Sequence, residues 1–328
     1  MNYPRVARFR TVADLRDHCK CLDAPIPFDD TVLSAEQSSP MASPYLIGSR
    51  SVGNRWCIHP MEGWDATPDG QPTPTVLRRW RHFGESGAKL IWGGEAIAVV
   101  PEGRANPRQL CSTSCQTEGL ALLVDTTRNA HKECFGSDDD LLIAVQLTHS
   151  GRFSHPTSGV RQPRIAYHHP VLDGHHHIDP HDDSCVLTDS DIDTLIDAYV
   201  TSAQHAASAG FDMVDIKACH GYLIHEFLSA RRRSGTYGGT FEGRTRLLRT
   251  IIERVKDACP HLLIGVRLSL FDTVPWRKVE DHGAPYPFDG NTPYDCGFGV
   301  DEANPLEMDL EEPIRLLQEL RDIGVCAL

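Results

Sequence analysis

Apolar residues in this chain fall into short unbroken runs, and the stretches between them carry helical spacing. Residues 56–58, 88–92, 141–147, 213–218 and 262–268 are largely apolar without strict alternation, which predicts strands buried on both faces. Thr73 caps a helix with Pro74 at its first position and Leu77, Trp80 and Phe83 along one side. Residues 113–130 read as helix or loop, with Leu120, Leu123 and Val124 on one side. Thr188 followed by Asp191 marks a further helix start, with Leu195, Tyr199 and Ala203 leading to a terminating Gly210. Helices are also predicted from about Arg244 to Ala258 and from Pro313 to Gly324, the latter with Ile314, Leu317 and Leu320 inward. The last four residues, 325–328, are apolar and open a sixth strand where the sequence stops.

Strand followed by helix, repeated, predicts a parallel α/β sheet. A doubly wound sheet would carry G-x-G-x-x-G after its first strand, and that fingerprint is absent. Polar groups instead gather at the carboxyl ends of several strands, so the fold expected is a TIM (β/α)8 barrel with about five to six of its eight strands in this chain. The division expected is an N-terminal arm over 1–53, Pro- and Ser-rich over 25–44, and an incomplete barrel domain over 54–328. Two polar excursions, 154–183 and 271–304, pass over the strand ends.

Charge narrows the partners. The formal net charge of −13 leaves no basic patch for nucleic acid or an anionic membrane, so a small-molecule substrate is expected. No apolar run reaches signal-peptide or transmembrane length, and the eleven cysteines include no C-x-x-C pair, so a cytoplasmic protein with reduced thiols is expected. A homo-oligomer stays open. His175, His176, His177 and His181 with Asp179, Asp182 and Asp183 invite a metal reading, but they lie in a long loop and are read as solvated, with no metal expected.

The chemistry is densest in 212–243, DMVDIKACHGYLIHEFLSARRRSGTYGGTFEG. With NRWCIHPMEGWD, LIWGGEA, AVQLTHSGR and GVRLS in the same order, this stretch resembles the Old Yellow Enzyme family of FMN-dependent ene-reductases, in particular its NADH:flavin oxidoreductase and 2,4-dienoyl-CoA reductase branch. The resemblance covers the chain from about Phe9 onward. It implies FMN at the carboxyl ends of the strands, reduced by NADH or NADPH. Pro60 and Met61 match the backbone along the flavin, and Gly94 and Ala96 match the small residues that let the ring approach. Gln146 matches the amide at the pyrimidine edge, and Arg267 matches the cation beside the reduced ring. Lys217 and His220 match the two donors to the acceptor's carbonyl oxygen, and Tyr222 matches the proton donor.

The chain departs from the pattern in three ways. Lys217 stands where the family usually has His, and Glu62 stands where one branch has a redox-tuning cysteine. The sequence ends before strands seven and eight, whose loops would bind the FMN phosphate. Structural readings run alongside: Arg267 as an ion-pair residue, His149 as packing, Trp80 as core beside Trp64 and Trp92 near a pocket, and Arg231, Arg232 and Arg233 as a solvated face or a phosphate contact. Two function classes therefore stand: an FMN oxidoreductase reducing an electron-poor alkene, and a truncated, non-catalytic barrel remnant that does not retain FMN.

Overall fold

The computed structural model describes residues 4–288 and 293–328. The chain divides into two compact units, Met1–Ser43 and Pro44–Leu328. In the first, Val12–Cys21 is a helix whose N-cap Thr11 exchanges hydrogen bonds with Asp14, a capping box. Residues 44–53, grouped on sequence with the arm, belong to the second unit. There Tyr45–Ile47 pairs antiparallel with Arg50–Val52.

The parallel strands run in the order Cys57–Ile58, Leu90–Ile91, Leu142–Thr148, Met213–Ala218 and Leu263–Leu268, each hydrogen-bonded to the next. We refer to them as the first to fifth strands. One further short strand, Ala96–Ala98, pairs parallel with the third. It was hidden in the sequence because Gly93, at φ +80°, ends the second strand early and the chain resumes its extended course three residues later. Cys326 N–H donates to the Ile264 carbonyl and Val266 N–H to that of Ala327, so the last residues lie parallel beside the fifth strand, as their apolar character predicted.

The third and fourth strands are buried along their whole length, which is why they read as unbroken runs. Helices Pro74–Glu85, Ser112–Phe135, Asp189–Ser208 and Phe241–Ala258 cover the sheet, with Trp80, Leu123, Tyr199 and Leu248 fully buried. Thr73 and Thr188 cap as predicted, and Gly210 terminates at φ +90°. The helix expected from Arg244 begins at Phe241, because Thr240 Oγ1 accepts from Gly243 N–H and supplies an earlier cap. Beneath the sheet, Ile47 and Val52 of the hairpin pack on Leu90, Leu142 and Met213, the opening residues of three strands. That seals the amino ends and leaves the carboxyl ends for chemistry.

The two excursions are more structured than their polarity suggested. Residues 154–183 bury Ile165, Ala166, Tyr167 and Asp173 and include the helix Leu172–His176. They are tied down by Arg152, which is 1% exposed and donates to Asp173, Glu226 and the Tyr167 carbonyl. In the second, Trp276–Val279 pairs with His282–Pro285 as a hairpin.

Candidate active site

The site begins with register. Ala96 pairs with Gln146, Gln146 with Asp215, and Asp215 with Gly265, a single row across four parallel strands. Two residues further, on the same face, Lys217 is the direct partner of Arg267. Gln146 Nε2 donates to Asp215 Oδ2 at 2.5 Å, and burial pushes the Asp215 carboxyl up to about 6. Gly265 makes room in this row: a Cβ there would meet Asp215 Oδ1 and the Trp92 ring, both at 3.4 Å.

The loop after the first strand is fixed on both sides of Glu62. Ala96 N–H donates to the Met61 carbonyl at 3.0 Å, and Gly63 N–H donates to Glu95 Oε1 at 2.7 Å. Glu95, 1% exposed, is neutralised by Arg79, which also binds Asp65. Glu62 is therefore aimed inward, where Oε1 accepts from Lys217 Nζ at 2.9 Å and Oε2 from Tyr222 OH at 2.9 Å and Trp64 Nε1 at 3.2 Å. Lys217 Nζ also sits 3.6 Å from the centre of the Tyr222 ring. Burial first, and then the Glu62 carboxylate, hold the Tyr222 phenol well above its ordinary pKa.

Past the fourth strand the chain turns through His220 at φ +62° and Gly221 at φ +69°, which throws the His220 ring outward. His220 N–H donates to Ser269 Oγ, and partial burial with the nearby Arg267 and Lys217 cations holds its imidazole below the ordinary pKa. The Arg267 guanidinium has no hydrogen bond or ion pair among the described residues. Thr148 Oγ1, at the end of the third strand, is buried without a partner among the described residues. Gly93 and Gly94 are packed closely: an added Cβ would lie 3.1 Å from Pro60 at the first and 3.1 Å from Phe83 at the second.

Of the residues singled out on sequence, Pro60, Met61, Gly94, Ala96, Gln146, Lys217, His220, Tyr222 and Arg267 all lie on the carboxyl-end segments of the first five strands. His149 does not serve this group: it is fully buried, accepts from Gly151 N–H, and is pushed down to about 3 by burial. Nor are Arg231, Arg232 and Arg233 free for a phosphate. They pair with Glu302 and Glu312, with Asp295, and with Asp189. A cavity of about 610 Å³ beside Tyr167 and Arg233 is lined by none of the proposed site residues.

Residues 40–282 match the model of the NADH:flavin oxidoreductase / NADH oxidase family. The chain belongs to that family. This Old Yellow Enzyme-type chain is 30% identical over 240 residues to an NADPH dehydrogenase of Bacillus licheniformis, a match covering 70% of this chain and 63% of the relative. Among solved structures it resembles the old yellow enzyme homologue from Zymomonas mobilis, with TM-score 0.55, 30% identity and coverage of 69% and 62%. It also resembles morphinone reductase, with TM-score 0.57, 27% identity and coverage of 70% and 62%. The architecture is thus the (β/α) barrel of this family, and the chain spans about three fifths of the length of these relatives. No helix among the described residues is long and apolar enough to cross a membrane.

Proposed function

We propose that this chain binds FMN and serves a reductase that passes reducing equivalents from NADH or NADPH to an electron-poor alkene such as an α,β-unsaturated carbonyl. The observation that carries the reading is the unpaired Arg267 guanidinium in direct register with Lys217, beside Tyr222, within a family whose description names flavin and NADH. Two groups suit the ring portion of FMN: a cation and a buried Thr148 hydroxyl that have no hydrogen-bond partner among the described residues. Bound FMN would supply two-electron hydride chemistry.

Everything else falls to side chains. Arg267 would offer a permanent positive charge to the electron-rich edge of the ring, and Gln146 would offer its amide to the pyrimidine edge. Pro60, Met61, Gly94 and Ala96 would hold the ring. Lys217 and His220 draw electron density from the acceptor's carbonyl oxygen, which makes the β-carbon electrophilic. Tyr222 gives its proton to the α-carbon, and its raised pKa keeps that proton in place until the carbanion forms. The test is NADPH oxidation by the FMN-supplemented protein with 2-cyclohexenone as acceptor. Acceptor-dependent turnover supports the reading; bound FMN that NAD(P)H reduces but no enone reoxidises would overturn the assigned acceptor class.

A further inference from the structure

Two of the three departures from the family pattern meet. Lys217, in place of the usual histidine, and Glu62, in place of a cysteine, form an ion pair at 2.9 Å although 155 residues separate them. The pair is enclosed, with side chains 6% and 10% exposed. Glu62 spends one oxygen on Lys217 and the other on Tyr222 and Trp64, and among the described residues no other carboxylate bonds these three donors. The ammonium that would grip an acceptor's oxygen and the hydroxyl that would supply its proton are therefore both already engaged by a planar, two-oxygen group belonging to the chain itself.

We propose that Glu62 is a positioning residue whose carboxylate occupies the acceptor's place between Lys217 and Tyr222, so that an acceptor enters by exchange with Glu62. The proposal rests on the reading of Lys217 as a donor to the acceptor's carbonyl oxygen and of Tyr222 as its proton donor. Physically, the carboxylate does two things before exchange. It supplies the counter-charge that an enclosed ammonium needs, and it keeps the phenol protonated by accepting its hydrogen bond. The backbone bonds at Met61 and Gly63 fix the chain on either side of Glu62, so its carboxylate returns to that position when no acceptor is bound.

Tyr222 ionisation reports the contact without any flavin, so its failure is separable from a failure to bind FMN. The groups around the phenol are Glu62 from the first-strand loop, Ser150 and Phe153 from the third-strand loop, and Lys217 and Cys219 at the end of the fourth strand. Ultraviolet difference titration against Tyr222→Phe isolates its tyrosinate. In Glu62→Gln the phenol loses its anionic neighbour and keeps the cation, so Tyr222 is expected to ionise at a pH lower by at least about one unit than in the unchanged chain. In Glu62→Ala, added acetate should enter between Lys217 and Tyr222 and raise that pH again in a saturable way, while acetate leaves the unchanged chain unaffected. Tyr222 ionising alike in the unchanged chain and in Glu62→Gln would overturn the proposal, as would acetate acting equally on the unchanged chain and Glu62→Ala. If Glu62→Ala does not fold, the near-isosteric Glu62→Gln decides by itself.

Discussion

Replacing Arg152 by Met should cost the fold more than any surface change. Its guanidinium, 1% exposed, bonds Asp173 and Glu226, themselves 5% and 6% exposed, and donates to the Tyr167 carbonyl at 3.0 Å. Burial pushes the Glu226 carboxyl up to about 7 even with the arginine beside it. Methionine fills most of the volume but leaves two enclosed carboxylates without their counter-charge and the Tyr167 carbonyl without its donor, although Asp173 keeps its bonds to His168 and His169. Breaking a buried pair by removing one partner costs about 3–5 kcal/mol, a large share of the roughly 5–15 kcal/mol that holds a domain together. The deficit should depend on pH in a defined direction. A carboxyl whose folded pKa lies above its unfolded value contributes stability that is lost as pH rises between the two. Removing Arg152 raises the folded pKa of Glu226 further, so the deficit should be larger at pH 8 than at pH 5. Urea unfolding followed by tryptophan fluorescence reads both, with Arg152→Met/Glu226→Gln as the compensating pair. A loss below about 1 kcal/mol, or one equal at the two pH values, would refute the claim that this network anchors the 154–183 excursion.

Other consequences are equally open to measurement. Tyr222→Phe in the FMN-loaded protein should slow enone reduction by roughly 10²–10⁴-fold while leaving reduction by NAD(P)H near its starting rate, as rapid mixing of the two half-reactions would read. Arg267→Leu should weaken FMN binding by about tenfold or more, measured by equilibrium dialysis, because it removes the unpaired cation. His149, pushed down to about 3, and His225, to about 4, are both held neutral by burial. Since their unfolded forms bind protons first, stability should fall as pH drops below roughly 6.5, and a flat profile from pH 7 to pH 5 would contradict their burial. Gly84→Val should destabilise strongly, since a Cβ there would lie 2.3 Å from the Thr127 carbonyl where Pro74–Glu85 crosses Ser112–Phe135. A melting temperature unchanged from that of the parent chain would show that the two helices part easily.

What the sequence made legible follows from what was buried. The third and fourth strands announced themselves because both faces are covered, and the helix starts at Thr73 and Thr188 because capping is local chemistry. The hairpin Trp276–Val279 with His282–Pro285 was missed because its residues are exposed or only partly buried and show no core pattern. Distance in sequence concealed the rest. Arg231, Arg232 and Arg233 look like a free basic run, and only folding brings Asp189, Asp295, Glu302 and Glu312 to them. Glu62 was visible as a missing cysteine and Lys217 as a missing histidine. That the two substitutions answer each other could be seen only once folding brought the loop after the first strand to the end of the fourth.

The central claim, that this chain holds FMN at the carboxyl ends of its strands, is tested most directly by titrating FMN with the protein and following flavin fluorescence. The account predicts a saturable change near one equivalent, weakened in Arg267→Leu and unaffected by a distant surface change such as Arg321→Gln. Flavin fluorescence that stays unchanged as the folded chain is added, or binding that Arg267→Leu leaves intact, would contradict it.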